Sequence, residues 1–168
     1  FLFLRGVFHG DLHPGNVLYD GESFIFLDNA NVETASLRLC RGILGMLVAL
    51  GEDRLGEAVD YLAGLSLTPL PATSLEKLTT GMKSLYRGFR GKTVSEVSLT
   101  QQMTGTVKLA VDCGVEFPQQ AFPVIKSLMN LDGIVRACAP DAVLLQDTSR
   151  FKEDREAYAA GRPEAVAV

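Results

Sequence analysis

The sequence contains no tryptophan, only two histidines (His9 and His13) and only three cysteines (Cys40, Cys113 and Cys138). Three widely spaced thiols set in apolar helical patterns exclude a disulfide framework or a zinc ribbon, and they read as buried free thiols in a reducing compartment. Positive charge is not in excess either. Lys and Arg number 16 against 20 Asp and Glu, a formal charge of -4; without a basic patch to release counterions, a nucleic-acid backbone is not an expected partner. No apolar run approaches the roughly 20 residues that a membrane-spanning helix needs. Charged or polar residues interrupt every candidate, including "GILGMLVALGEDR", so a membrane contact would be peripheral to an otherwise cytoplasmic protein.

What remains is the composition of a globular chain, 47% hydrophobic and 21% charged over 168 residues, enough for one core or a core with a helical appendage. The opening "FLFLRGVF" is too short for a secretory signal and lacks a basic leader. Starting on Phe1, the chain reads as cut from something longer, and residues 1 to 4 offer an apolar surface for self-association.

The organisation changes near residue 34. Before it, "NVLY" and "SFIFLD" flank "DGES", whose Asp20-Gly21 pair is a strong turn signal, so a small β-hairpin is expected. After it, apolar residues recur at helical spacing. Leu37, Cys40, Leu44, Leu47 and Val48 form one stripe, with Thr34 or Ser36 as cap and Gly51 as the end; Leu55, Val59 and Leu62 form a second. "SLTPLPATS" is a connector with Ser74 as a cap. Further helices are expected at 74 to 89, 96 to 113 and 119 to 138, with "CGVEFP" as the last break. Three regions follow: 1–33 with a loop and hairpin, 34–141 helical, and 142–168 a charged, partly disordered tail.

The chemistry concentrates in "VFHGDLHPGNVLYD" and "FIFLDNANV". In an extended segment His9, Asp11 and His13 would share a face, as in the start of a zinc site, but only distant carboxylates or cysteines could complete the ligand set. Phosphoryl transfer accounts for more of the residues. It requires a carboxylate to orient the acceptor hydroxyl, an amide to help hold magnesium, and a second carboxylate on a separate strand. Asp11, Asn16 and Asp28 occur in that order, with the H-x-D and the asparagine five residues later spaced as in a kinase catalytic loop. Pro14-Gly15 can turn the loop so that Asp11 and Asn16 face one pocket. His9 reads as a structural residue fixing the turn, His13 as a group that either steers the acceptor or phosphate or sits in the mouth of the cleft, and Lys126 as a residue outside the site that snorkels to solvent or pairs with a carboxylate.

"GVFHGDLHPGNVLY" resembles the catalytic loop of the AarF/UbiB family of atypical, protein-kinase-like enzymes, and that of aminoglycoside and choline phosphotransferases. "GVEFPQQAFPVIKSLMNLDGIVRACAPD" resembles the helical C-terminal half of AarF/UbiB proteins alone. The resemblance implies a mainly α fold, a kinase-like C-terminal lobe with a catalytic loop and small hairpin followed by a helical bundle. It implies ATP and Mg2+ as cofactors, Asp11 as catalytic residue, His13, Asn16 and Asp28 at the nucleotide, and Asn16 and Asp28 at the metal. It also implies partners: an N-terminal kinase lobe absent from these residues and a small-molecule or isoprenoid-lipid substrate connected with ubiquinone metabolism. One departure is evident, since Asp28-Asn29-Ala30 stands where the family has D-F-G. A non-catalytic, pseudokinase-like module that binds nucleotide or docks helices is therefore the alternative, and an aminoglycoside-type fragment a third reading.

Overall fold

A computed structural model describes residues 2–28 and 31–146. Among them the chain is mainly helical, with two antiparallel pairs of three-residue strands near its start. Helix α1 (Leu2–Arg5) leads into β1 (Val7–His9), a 3-10 turn (Pro14–Asn16), β2 (Val17–Tyr19), β3 (Phe24–Phe26) and β4 (Val32–Thr34). The helices that follow are α2 (Leu37–Gly51), α3 (Leu55–Gly64), α4 (Ala72–Leu85), α5 (Leu99–Asp112) and α6 (Ala121–Cys138). None of the described helices is long and apolar enough to cross a membrane.

The expected hairpin is β2 with β3, Val17 opposite Phe26 and Tyr19 opposite Phe24. Its turn is closed by the Asp20 carboxylate, which accepts from the backbone N–H groups of Glu22 (2.9 Å) and Ser23 (2.8 Å), an Asx turn that lets Gly21 take φ +103°. A second pair, β1 with β4, joins Val7 to Thr34 and His9 to Val32. This pair brackets the loop, so residues 9 to 16 start from one ladder and end at the other. At its far end Gly6 has φ +68°, and a Cβ there would collide with the Ala35 carbonyl oxygen; no other residue permits both the turn and the approach.

Helix α2 is the centre of the core. Ser36 caps it, its hydroxyl accepting from the Leu39 N–H at 3.3 Å, while Thr34 lies in β4. Its buried residues include Leu39, Cys40, Ile43, Leu44, Met46 and Leu50, whereas Leu37 is exposed and Leu47 and Val48 are half-buried. The expected stripe is therefore rotated. A helix apolar on most of its circumference packs on several neighbours at once, and here α1 and α3 both lie against it. Val59 and Leu62 of α3, Leu78 and Met82 of α4, Ala110 of α5 and Val124 of α6 complete the core, and Leu2 and Phe3 pack against it. The apolar opening is thus used inside the molecule at those two residues.

Helix α4 starts at Ala72 with Pro71 as its cap residue, not at Ser74; proline's fixed φ suits a helix start and its missing N–H costs nothing there. It ends at Leu85, ahead of the expected 89, where Gly88 adopts φ +70°. Cys40 and Cys113 are buried but Cys138 is exposed, because α6 runs off the core after Ile134. Residues 142–146 of the expected tail pack against the molecule: Leu144 is buried with Phe89 and Val94 in a small second cluster, and the Val94 N–H donates to Ala142 O at 2.9 Å. Residues 147–168 lie outside the described residues.

Candidate functional site

The loop between the two ladders is built on backbone bonds to side chains. His9 stands at the end of β1 and uses both ring nitrogens. Its Nδ1 accepts from the Asp11 N–H at 3.2 Å, and its Nε2 makes a close contact with the Asp28 carbonyl oxygen, 19 residues later. That pairing requires the proton on Nε2. One imidazole thereby ties the start of the loop, the Asp11 backbone and the end of the hairpin strand together, the scaffold role its sequence context suggests. Since both nitrogens are committed to backbone, His9 is not placed to ligate a metal.

Leu12 is buried and fastens the loop to the protein between two polar residues. His13 then caps the 3-10 turn: its Nδ1 accepts from the Gly15 N–H at 3.1 Å, and Pro14 sits at the first position of the turn. The Asn16 N–H donates to His13 O at 2.9 Å, and Leu27 N–H donates to Asn16 O at 3.0 Å, joining the turn to the strand that ends at Asp28. The Asn16 side chain points back, Nδ2 donating to Asp11 O at 3.4 Å. That bond uses the donor end of the amide and leaves Oδ1 as its acceptor end.

The structure gathers Asp11, His13, Asn16 and Asp28 on one loop and one strand end, through His9 and the Leu27–Asn16 bond. Asp28 is exposed. An amide oxygen and a carboxylate are hard oxygen donors, and magnesium is ordinarily held by one or two such groups together with phosphate oxygens and water; the residues present fit that ion in number and type. Among the described residues no group of three or more His, Cys, Asp or Glu is arranged to hold a metal alone. The turn residues Asn29 and Ala30 lie outside the described residues.

The sequence reading had Lys126 outside the site, snorkelling or paired with a carboxylate; the pairing is present, and the carboxylate is that of Asp11. Helix α6 packs against β1 and the 3-10 turn and brings Lys126 Nζ to 3.1 Å from Asp11 Oδ1. His13 Nε2 lies 4.0 Å from the other carboxylate oxygen, Oδ2. The Lys126 ammonium, by its hydrogen bond first and its charge second, holds the Asp11 carboxyl below the usual carboxylate range; the two histidines add to this and desolvation opposes it. A lone lysine in an apolar helical stretch was the available signal, though nothing local names its partner.

Two pockets lie elsewhere, both along Leu50, Phe89 and Arg90, at the end of the molecule where the second small cluster sits. Neither pocket is lined by a residue of the Asp11 loop.

Comparison with known proteins gives distant relatives; over 140 residues the chain is 16% identical to one of them, an uncharacterized protein in the hydrogenase 1 5′ region of Clostridium pasteurianum. The match takes in 83% of this chain and 26% of that protein, so the chain spans about a quarter of its relative's length. No family model matches the chain, and no solved structure matches it.

Proposed function

We propose that this chain is the C-terminal lobe of an atypical, Mg-ATP-dependent kinase or ATPase of the AarF/UbiB type, acting on a small molecule or isoprenoid lipid. The observation that carries the reading is the His9 bridge. By holding the Asp11 amide and the Asp28 carbonyl on one ring, it places the two carboxylate-bearing residues at one site although they are distant in sequence. The motif spacing supplies the reaction class, and the helical C-terminal resemblance supplies the family.

In this reading Asp11 orients the acceptor hydroxyl for in-line attack and takes up its proton as the bond to the γ-phosphorus forms, while the bond from that phosphorus to the β–γ bridging oxygen breaks and ADP leaves. Asn16 Oδ1 and the Asp28 carboxylate are the groups that would hold magnesium, whose charge offsets that of the nucleotide phosphates. Leu12, by its burial, keeps the loop backbone from drifting while Asp11 and His13 on either side of it remain accessible to solvent. The lysine and glycine-rich cover of the nucleotide belong to an N-terminal lobe outside these residues.

The test is a thermal-shift titration of the intact protein that carries this chain, with ATP and ADP, with and without magnesium. Ligand at 100 times its dissociation constant should stabilise the folded state by about 2.7 kcal/mol. The shift should require magnesium and vanish in Asp28→Asn, while Asp11→Asn should bind and fail to turn over. Binding without turnover in the wild type would favour the pseudokinase reading, which the Asn29-Ala30 replacement also supports. No magnesium-dependent shift would refute both.

A further inference from the structure

We propose that Lys126 is a positioning residue of the Asp11 loop, which holds one carboxylate oxygen so that the other is presented to the acceptor; this rests on the phosphoryl-transfer reading above. The two oxygens of Asp11 have different neighbours: Oδ1 accepts from Lys126 Nζ at 3.1 Å, and Oδ2 faces His13 Nε2 at 4.0 Å. With Oδ1 occupied, rotation of the carboxylate is restricted and Oδ2 becomes the face open to an incoming hydroxyl.

The lysine is well founded for such a task. Ala121 and Val124, five and two residues before it, are fully buried, and the Gln120 side-chain oxygen accepts from the Ser36 N–H at 3.1 Å, locking the start of α6 to the start of α2. The stem of Lys126 therefore leaves a fixed backbone. Its side chain is 61% exposed, and an ammonium has three N–H donors, of which the bond to Oδ1 uses one.

Charge gives the second reason. A bare carboxylate in front of an anionic phosphoryl group repels it, and an ammonium against Oδ1 cancels that charge without using the oxygen that meets the acceptor. As a fold-stabilising contact the pair counts for little, because exposed ion pairs gain little against solvent and salt. Lys126→Met should accordingly fold normally, and its consequence should lie in the chemistry.

The experiment compares wild type, Lys126→Met and Lys126→Arg. Turnover is measured on the intact protein with magnesium ATP, and the Asp11 side-chain rotamer is read from three-bond NMR couplings in this chain. Lys126→Met should lower kcat by about tenfold or more with KM for the nucleotide nearly unchanged, and Lys126→Arg should recover most of the loss. Asp11 should occupy one rotamer in wild type and in the arginine variant, and average over several in the methionine variant. Equal rates, the same Asp11 rotamer with and without Lys126, or a joint loss in kcat and KM that arginine does not restore would overturn the inference alone. A wild type that neither binds nor turns over magnesium nucleotide would overturn the functional reading, and this inference with it.

Discussion

Replacing His9 separates the two bonds on which the site is assembled. His9→Ala removes the acceptor of the Asp11 N–H at 3.2 Å and the donor to the Asp28 carbonyl. Each bond contributes about 0.5–1.5 kcal/mol net, and both released backbone groups can reach water, so no buried unsatisfied group is left to enlarge the loss. The sum is about 1–3 kcal/mol, or a fall in Tm of about 2–12 °C for a chain of this size. His9→Asn preserves an acceptor near the position of Nδ1, and His9→Gln a donor near that of Nε2, so each should recover part of the stability. Function should divide differently. The asparagine variant keeps the Asp11 backbone in place but frees the Asp28 end, and should lose magnesium-dependent nucleotide affinity more than the glutamine variant does. Differential scanning calorimetry and a nucleotide titration on the same three variants measure both quantities. If His9→Ala melts with the wild type, the imidazole does not bridge the loop in solution and the assembly argument fails.

Three other outcomes follow from the structure. The carboxylate of Asp132, buried in α6, accepts from Thr100 N at 3.0 Å and Thr100 Oγ1 at 2.8 Å, so Asp132→Ala should cost about 2–4 kcal/mol in urea denaturation and Asp132→Asn clearly less. Glu96 is pulled from 4.5 down to about 2, first by its hydrogen bond from Lys92 and then by that from the Thr93 backbone. Its folded pKa lies below the unfolded one, so its contribution is complete above about pH 4.5 and drains away as pH falls through 2; the stability difference between wild type and Glu96→Gln should shrink over that interval, and a constant difference would contradict the assignment. Cys138 is exposed while Cys40 and Cys113 are buried, so a thiol reagent should label one cysteine quickly in the native protein and all three only after denaturation.

Elements encoded over short distances were legible in the sequence. The Asp20-Gly21 turn, the Ser36 cap and the Gly51 end of α2 each depend on neighbours within a few residues, and each is found. The gathering of His9, Asp11, His13, Asn16 and Asp28 on one loop and strand end also followed from their spacing. The β1–β4 ladder was not legible, because three-residue strands have no room for alternation and their pairing joins Val7 to Thr34 across the intervening loop. The facing side of α2 was misread because apolar residues surround that helix, so periodicity alone does not choose a side. Cys138 was misplaced for a different reason: the apolar pattern of α6 continues past Ile134, the last residue that the helix buries. Lys126 shows the general limit, since its partner is set by how α6 docks and not by any residue near it.

The Asp11–Lys126 contact closes a loop of 115 residues, and that separation has a consequence for how the protein is made. During synthesis the Asp11 loop and the hairpin leave the ribosome long before α6 exists, and domains acquire their long-range contacts only once the distant partner is available. The His9 bridge can form early, since it spans 19 residues, but the carboxylate must wait for the last described helix. The order of assembly is then fixed by chain connectivity: first the scaffold of the site, then its charge balance. A chain stopped anywhere between residues 28 and 126 would carry every residue of the loop motif and still lack the cation that faces it.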